Sequence, residues 1–150
     1  MEKHAKPDFN MPLEHPEALK AKLAPGEKAL DLKHLVGSWH ACDRDTRGVV
    51  RVDLAKRGKD LTVHVFGACH PTPCDWGTVA GIAYAESVSA TEAIAFTAVH
   101  DQGFKDVIVT GLLDQGSLIF ETFNRFKDAS GRSNYYSRGY LCRRASRKEK

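Results

Sequence analysis

Eight short runs of strand-forming residues follow one another along this chain, and turn residues rather than helical patterns separate them. The runs are Ser38–Asp43, Val49–Ala55, Leu61–Gly67, Thr78–Glu86, Ala93–His100, Asp106–Asp114, Ser117–Phe126 and Asn134–Arg143. All six prolines lie outside them, as strands inside a sheet require, because proline cannot donate a hydrogen bond to its neighbour. Short connections favour antiparallel neighbours. The pattern therefore predicts an all-β fold, a closed antiparallel up-and-down barrel of about eight strands.

Two segments of different composition flank the predicted barrel. The first 34 residues hold four of the six prolines, and Glu17–Ala24 consists of strong helix formers with two leucines spaced by four. The last residues are almost all charged. We expect an N-terminal arm with a short helix over residues 1–34, a barrel domain over 35–144 and a disordered basic tail over 145–150. A chain of 150 residues is large enough for one such core.

The charge distribution argues against a nucleic-acid partner. The net charge is +3, but residues 143–150 alone carry five basic groups and one acid, which leaves the rest of the chain at −1. A near-neutral body does not offer a phosphate-binding face. We expect no membrane partner either, because no run approaches the roughly 18 apolar residues that a spanning helix needs. The first residues lack the pattern of a signal peptide, so the sequence predicts a cytoplasmic protein with cysteines that default to free thiols.

Several strands are apolar on both faces. In the third run Leu61, Val63 and Val65 oppose Thr62, His64 and Phe66, and the fifth and sixth runs show the same mixture. A monomeric barrel has a single interior, so a second apolar surface needs a cover, either the N-terminal arm or another subunit. We favour the second option and predict a homo-oligomer.

Trp39 and the last strand carry a resemblance to a known group of barrels. Leu35-Val36-Gly37-Ser38-Trp39, taken with Arg143 or Arg144 near the chain end, resembles the calycin group, which contains lipocalins and avidin-like barrels. In a structural role the indole plugs one barrel end and an arginine lies across its face.

A second resemblance covers residues 35–144. The blocks 43–49, 67–77 (which contains Cys74-Asp75-Trp76-Gly77) and 126–135 are similar to a set of small, largely uncharacterised bacterial barrel proteins. This resemblance implies the fold and gives no activity.

The loop from Cys69 to Cys74 has several interpretations. Two cysteines around a histidine suggest zinc, but a zinc site needs a second ligand pair, and Cys42 and Cys142 are isolated in the sequence. A loop disulfide or two buried thiols is the better interpretation, and we expect no metal and no cofactor. Asp75-Trp76-Gly77 is typical of a turn in which the aspartate caps amides and Trp76 packs over the barrel mouth. The functional alternative places Trp76 at a pocket entrance.

Three polar residues are candidates for chemistry. His64, if it faces inward, is a titratable imidazole in an apolar cup, which suits acid–base catalysis. Arg138, if it faces inward, is able to bind an anionic group, and the Tyr140 hydroxyl is able to donate a hydrogen bond to it. If they face outward, all three are surface residues. No serine-nucleophile elbow, phosphate-binding glycine loop or zinc-protease motif is present.

The sequence thus predicts a barrel that binds a small hydrophobic or aromatic molecule in an internal apolar cavity. The residues expected to line it are Phe66, Trp76, Phe96, Phe120, Glu121 and Tyr136. The alternative is a cofactor-free isomerase or cyclase in the same cavity, with His64, Arg138 and Tyr140 as catalytic residues. A third possibility is a scaffold with a filled core.

Overall fold

The computed structural model describes residues 29–143, which form eight strands and no helix. The strands are β1 Gly37–Ala41, β2 Val49–Arg57, β3 Asp60–Gly67, β4 Cys74–Ala85, β5 Ala93–Asp101, β6 Lys105–Asp114, β7 Ser117–Phe126 and β8 Tyr135–Arg143. The predicted N-terminal helix and the basic tail lie outside the described residues. Within residues 29–143 no helix is long and apolar enough to cross a membrane.

The strands close into one antiparallel up-and-down barrel. Each strand pairs with the next, and β8 returns to pair with β1. The predicted fold class is therefore confirmed. The largest difference concerns β4, which begins at Cys74 rather than at Thr78, so that Asp75-Trp76-Gly77 belongs to a strand and not to a free turn.

One end of the barrel is closed by the residues just before β1. Leu32 and Leu35 are buried there beside Trp39, whose indole N–H donates to the Leu35 carbonyl at 2.8 Å. The Arg143 guanidinium lies over the indole, 4.6 Å from the ring centroid, and also donates to the His34 carbonyl. The predicted plug of Trp39 and a terminal arginine is confirmed, with Arg143 as the arginine.

The middle of the barrel is filled by two phenylalanines that meet over a glycine. Phe96, Gly111 and Phe120 face inward and are direct cross-strand neighbours on β5, β6 and β7. The two ring centroids lie 6.4 Å apart, and a Cβ at Gly111 would lie 2.1 Å from Phe96 Cε1. A side chain at residue 111 is therefore incompatible with this layer, and the sequence provides large and small residues in alternation.

The seam between β1 and β8 is the shortest pairing in the barrel. It comprises three registered positions, from Trp39↔Arg143 to Ala41↔Leu141. Just beyond β1, Cys42 forms a disulfide with Cys142 of β8, with Cα atoms 5.4 Å apart. The disulfide thus fastens the seam covalently.

The expectation of free thiols is wrong, because each of the four cysteines takes part in a disulfide. Cys42 and Cys142 are 100 residues apart in sequence and become neighbours only because the barrel closes. Of the two interpretations of the Cys69–Cys74 loop, the structure shows the disulfide.

Candidate functional site

The end of the barrel opposite the Trp39 plug, which we call the mouth, has a polar interior. The connections β1–β2, β3–β4, β5–β6 and β7–β8 surround it. The buried polar side chains of the described residues all lie on its side of the barrel, near the ends of β5, β6 and β7; they are His100, Lys105, Thr122 and Asn124. Because a buried polar group is costly unless it is hydrogen-bonded, this concentration indicates where function should be sought.

Lys105, the first residue of β6, is 8% exposed and faces inward in register with Val107. Its ammonium donates to Asn124 Oδ1 at 2.9 Å and to the Tyr135 hydroxyl at 3.3 Å. Four aromatic rings surround the ammonium, with centroids 5.4–5.8 Å away; they belong to Trp76, Phe104, Phe126 and Tyr135. Within residues 29–143 no carboxylate pairs with it, so the aromatic rings supply the electrostatic stabilisation.

A hydrogen-bond chain runs from Lys105 across the interior to β8. Lys105 is a donor only, so the oxygen of the Asn124 amide faces it and the amide nitrogen faces away. That nitrogen donates to Thr122 Oγ1 at 3.0 Å, and Thr122 is hydrogen-bonded to the Ser137 hydroxyl on the neighbouring strand. The charge at Lys105 therefore orients a polar network that ends at Ser137.

His100 is the second buried titratable group at the mouth. It is 1% exposed, its Nε2 lies 3.2 Å from the Gly77 carbonyl, and its Nδ1 has no partner among the described residues. Burial removes the imidazole from water and so holds the His100 pKa below its usual value, although the contact with Gly77 opposes this shift. His100 is accordingly the neutral imidazole of the mouth at physiological pH.

A bulge in β4 places Trp76 in the mouth. The pairing of β3 with β4 shifts between His64↔Thr78 and Phe66↔Asp75, and Gly77 at the shift has φ +84°, a conformation that favours glycine. The Trp76 ring packs against the core and lies edge-on to His100 with centroids 6.0 Å apart. The expected packing of Trp76 at the mouth is confirmed, and its place in a strand bulge is the difference.

Asp75, next to Trp76, faces outward and holds two partners. Its Oδ1 accepts from the Gly77 N–H at 2.8 Å, as expected for a capping aspartate, and lies 2.6 Å from His64 Nε2. The Gly77 amide first, and then His64, hold the Asp75 pKa below its usual value. This pair stabilises the charged carboxylate on the outer surface.

A cleft of about 370 Å³ opens beside β8 at the point where β1 ends. Its inner wall includes Phe120, Ser137 and Gly139, and a Cβ at Gly139 would meet no atom within 4 Å. Residues of the β1–β2 connection, among them Thr46, line the opposite side. The cleft therefore reaches the packed centre at Phe120 and the end of the hydrogen-bond chain at Ser137.

Three of the predicted ligand-lining residues face the interior. Phe120 lines the cleft, Phe96 lies in the packed layer behind it, and Trp76 lies at the mouth. The described structure thus brings these three to the inside of the barrel, although Phe96 fills the interior rather than bordering an open space.

The other predicted site residues lie on the outer face, and two of them, Arg138 and Tyr140, also border the cleft beside β8. The sequence left the direction of His64, Arg138 and Tyr140 open, and a role for these residues in binding or catalysis stays a prediction. Side chains alternate along a strand: Val63 and Val65 are buried inside, so the residues between and after them face out. The outward residues are His64, Phe66, Glu121, Tyr136, Arg138 and Tyr140.

The three residues expected to be catalytic are also not brought together. His64 is on β3, whereas Arg138 and Tyr140 are on β8, and β1 and β2 lie between these strands. His64 stacks on Phe66, with centroids 4.2 Å apart, and the Arg138 guanidinium lies 5.5 Å from the Tyr140 ring centroid. A catalytic role for His64, Arg138 and Tyr140 stays a prediction, and the structure does not bring the three into one site.

Lys105, His100, Asn124 and Ser137 were not singled out from the sequence, although a signal for them exists. Buried Val107 and Val109 set the inward parity of β6, and the same alternation continued backward reaches Lys105. The predicted strand begins at Asp106, one residue after Lys105, and so leaves this lysine out of the alternation of inward and outward residues. Extending that alternation by one residue at each strand end includes it.

No protein-family model matches the chain, and no curated protein or solved structure matches it. The function is therefore argued from the geometry of the mouth.

Proposed function

We propose that this protein is a calycin-like barrel that binds one small hydrophobic or aromatic molecule in the cleft at its mouth. The observation that carries the proposal is the cleft of about 370 Å³ that reaches Phe120 and Ser137. This volume is at the lower end of the range of about 300–1,000 Å³ for small-molecule sites. Apolar side chains line the cleft together with a set of polar ones, namely Asp43, Thr46, Ser137, Arg138 and Tyr140, and a combination of apolar wall and polar groups is typical of such sites.

The chemistry of the wall indicates which ligand fits. Apolar contacts come from Val49, Phe120 and Leu141, which suit a flat or aliphatic ligand body. At the inner end, the Ser137 hydroxyl borders the cleft and is hydrogen-bonded to Thr122. A hydroxyl both donates and accepts hydrogen bonds, so a ligand that fits carries a polar group at that end.

A binding experiment with a defined dye tests the proposal. We expect 1-anilinonaphthalene-8-sulfonate to bind with one-to-one stoichiometry, measured by fluorescence titration and native mass spectrometry. Gly139→Leu places a side chain in the cleft and should weaken binding at least about tenfold, equivalent to about 1.4 kcal/mol. Ser137→Ala should weaken it less, because it removes one hydrogen bond.

The matched control is Ala55→Leu, which creates the same side chain on the outer face of β2 and away from the cleft. Circular dichroism shows whether each variant is folded. Equal dye affinity in the wild type, Gly139→Leu and Ala55→Leu would contradict the proposal. Chemical conversion of a bound compound would instead favour the enzyme alternative.

The cytoplasmic location expected from the sequence stays a prediction. The two disulfides weigh against it, because disulfides persist mainly in oxidising environments. Thiol titration of protein isolated under alkylating conditions distinguishes a chain with free thiols, as expected in the cytoplasm, from a chain with two disulfides.

A further inference from the structure

The outer face of β5–β8 carries two rows of large apolar side chains separated by a polar row. Cross-strand neighbours form the first apolar row, which consists of Val99, Ile108, Phe123 and Tyr136. The second apolar row consists of Ala95, Leu112, Ile119 and Tyr140. Between them the polar row consists of Thr97, Thr110, Glu121 and Arg138. We call these three rows the outer patch.

The outer patch is exposed. The exposed fraction of its large apolar side chains, apart from Ile119, runs from 42% at Leu112 to 53% at Tyr140. Fully exposed large side chains offer about 150–250 Å² each, so the five of them on β6–β8 together offer on the order of 450 Å². That is close to the apolar share of a standard interface, which covers roughly 800 Å² per partner and is about 56–58% apolar.

The polar row shows which partner fits. Glu121 and Arg138 are direct neighbours on β7 and β8, yet they do not pair with each other in the described structure. Glu121 accepts a hydrogen bond from the Tyr136 hydroxyl at 2.5 Å, and Arg138 lies over the Tyr140 ring. An acid and a base side by side, neither of them in an ion pair among residues 29–143, form a surface that is complementary to itself under a two-fold rotation.

We propose that the part of the outer patch on β6–β8 is the interface of a two-fold symmetric homodimer. A two-fold axis parallel to the strands and midway between β7 and β8 places β7 of one copy opposite β8 of the other. Glu121 of each copy then faces Arg138 of its partner, and Phe123 faces Tyr136. Such an isologous contact is the commonest oligomer symmetry. The interface lies on the outer face of the barrel. Arg138 and Tyr140 also border the proposed ligand cleft, whereas Glu121, Phe123 and Tyr136 do not, so Glu121→Arg tests the interface without changing the cleft.

Sedimentation velocity of the full chain over a range of micromolar concentrations tests this inference. We expect a species of twice 16.6 kDa. Glu121→Arg sets two arginines against each other, and Arg138→Glu sets two glutamates, so each should raise the dimer dissociation constant at least about tenfold. The double variant Glu121→Arg/Arg138→Glu restores opposite charges and should return the constant to near the wild-type value.

The control variant is Lys56→Glu, at an exposed position of β2, which should leave the dimer dissociation constant unchanged. Melting curves establish that each variant is folded. A chain that stays monomeric at all concentrations overturns the proposal, and protection of Phe123 and Tyr136 in that monomer would assign the cover to residues 1–28. A dimer that is indifferent to Glu121→Arg also overturns it. Failure of the charge swap to restore the dimer refutes the proposed axis.

Discussion

Removal of the Cys42–Cys142 disulfide should destabilise this barrel far more than removal of Cys69–Cys74. The first disulfide closes a loop of 100 residues and the second a loop of 5. In the chain-entropy description the stabilisation grows with the logarithm of loop length, which gives about 4.7 kcal/mol for the long loop and about 2 kcal/mol for the short one. The position of the long disulfide acts in the same direction, since it fastens a seam of three registered positions.

Urea denaturation followed by circular dichroism measures the difference. We expect Cys42→Ser/Cys142→Ser to lose about 3–5 kcal/mol of the free energy of unfolding and Cys69→Ser/Cys74→Ser about 1–2 kcal/mol. The difference between the two variants corresponds to a melting temperature lower by roughly 10 °C in the first. Mass spectrometry without reductant establishes that the remaining disulfide is intact in each variant.

The comparison of the two variants removes contributions that both share, such as the replacement of sulfur by oxygen. Equal losses in the two variants would refute the reasoning, because loop length and seam position would then have no effect. A larger loss for Cys69→Ser/Cys74→Ser would refute it as well.

Two further predictions concern the interior. Gly111→Ala places a Cβ 2.1 Å from the Phe96 ring and should lower the free energy of unfolding by about 1–3 kcal/mol. Gly139→Ala, whose Cβ meets no atom within 4 Å, should change it by less than about 0.5 kcal/mol. Equal effects of the two variants in urea denaturation would contradict the packing argument. For His100, the lowered pKa means that below about pH 6.5 the unfolded chain binds a proton that the folded chain does not, so stability falls as the pH drops through this range. Between pH 7.5 and 5.5 in urea denaturation, His100→Gln should lose less of the free energy of unfolding than the wild type does. The control variant His70→Gln, at an exposed position, should lose as much as the wild type. If His100→Gln also loses as much as the wild type, burial of His100 is not the cause of the pH dependence.

The sequence by itself determined the barrel and most of its local features. Runs of strand formers without proline gave eight strands, and the bounds of β7 were predicted to the residue. The Trp39 plug was expected from the resemblance of Leu35–Trp39 and the terminal arginine to calycin-type barrels. The eight strands depend on a single repeating period that is visible in the chain itself.

Only the tertiary structure decided which face of each strand is inside. Strands such as β3 are apolar on both faces, so periodicity alone does not distinguish Val63 from His64. The structure places His64 on the outer face of β3, and it likewise places Arg138 and Tyr140 on the outer face of β8. Closure of the barrel brings Cys42 to Cys142 across 100 residues, and the β4 bulge turns Trp76 toward Lys105. A contact across the barrel depends on closure and register together, and no local pattern in the chain encodes either one.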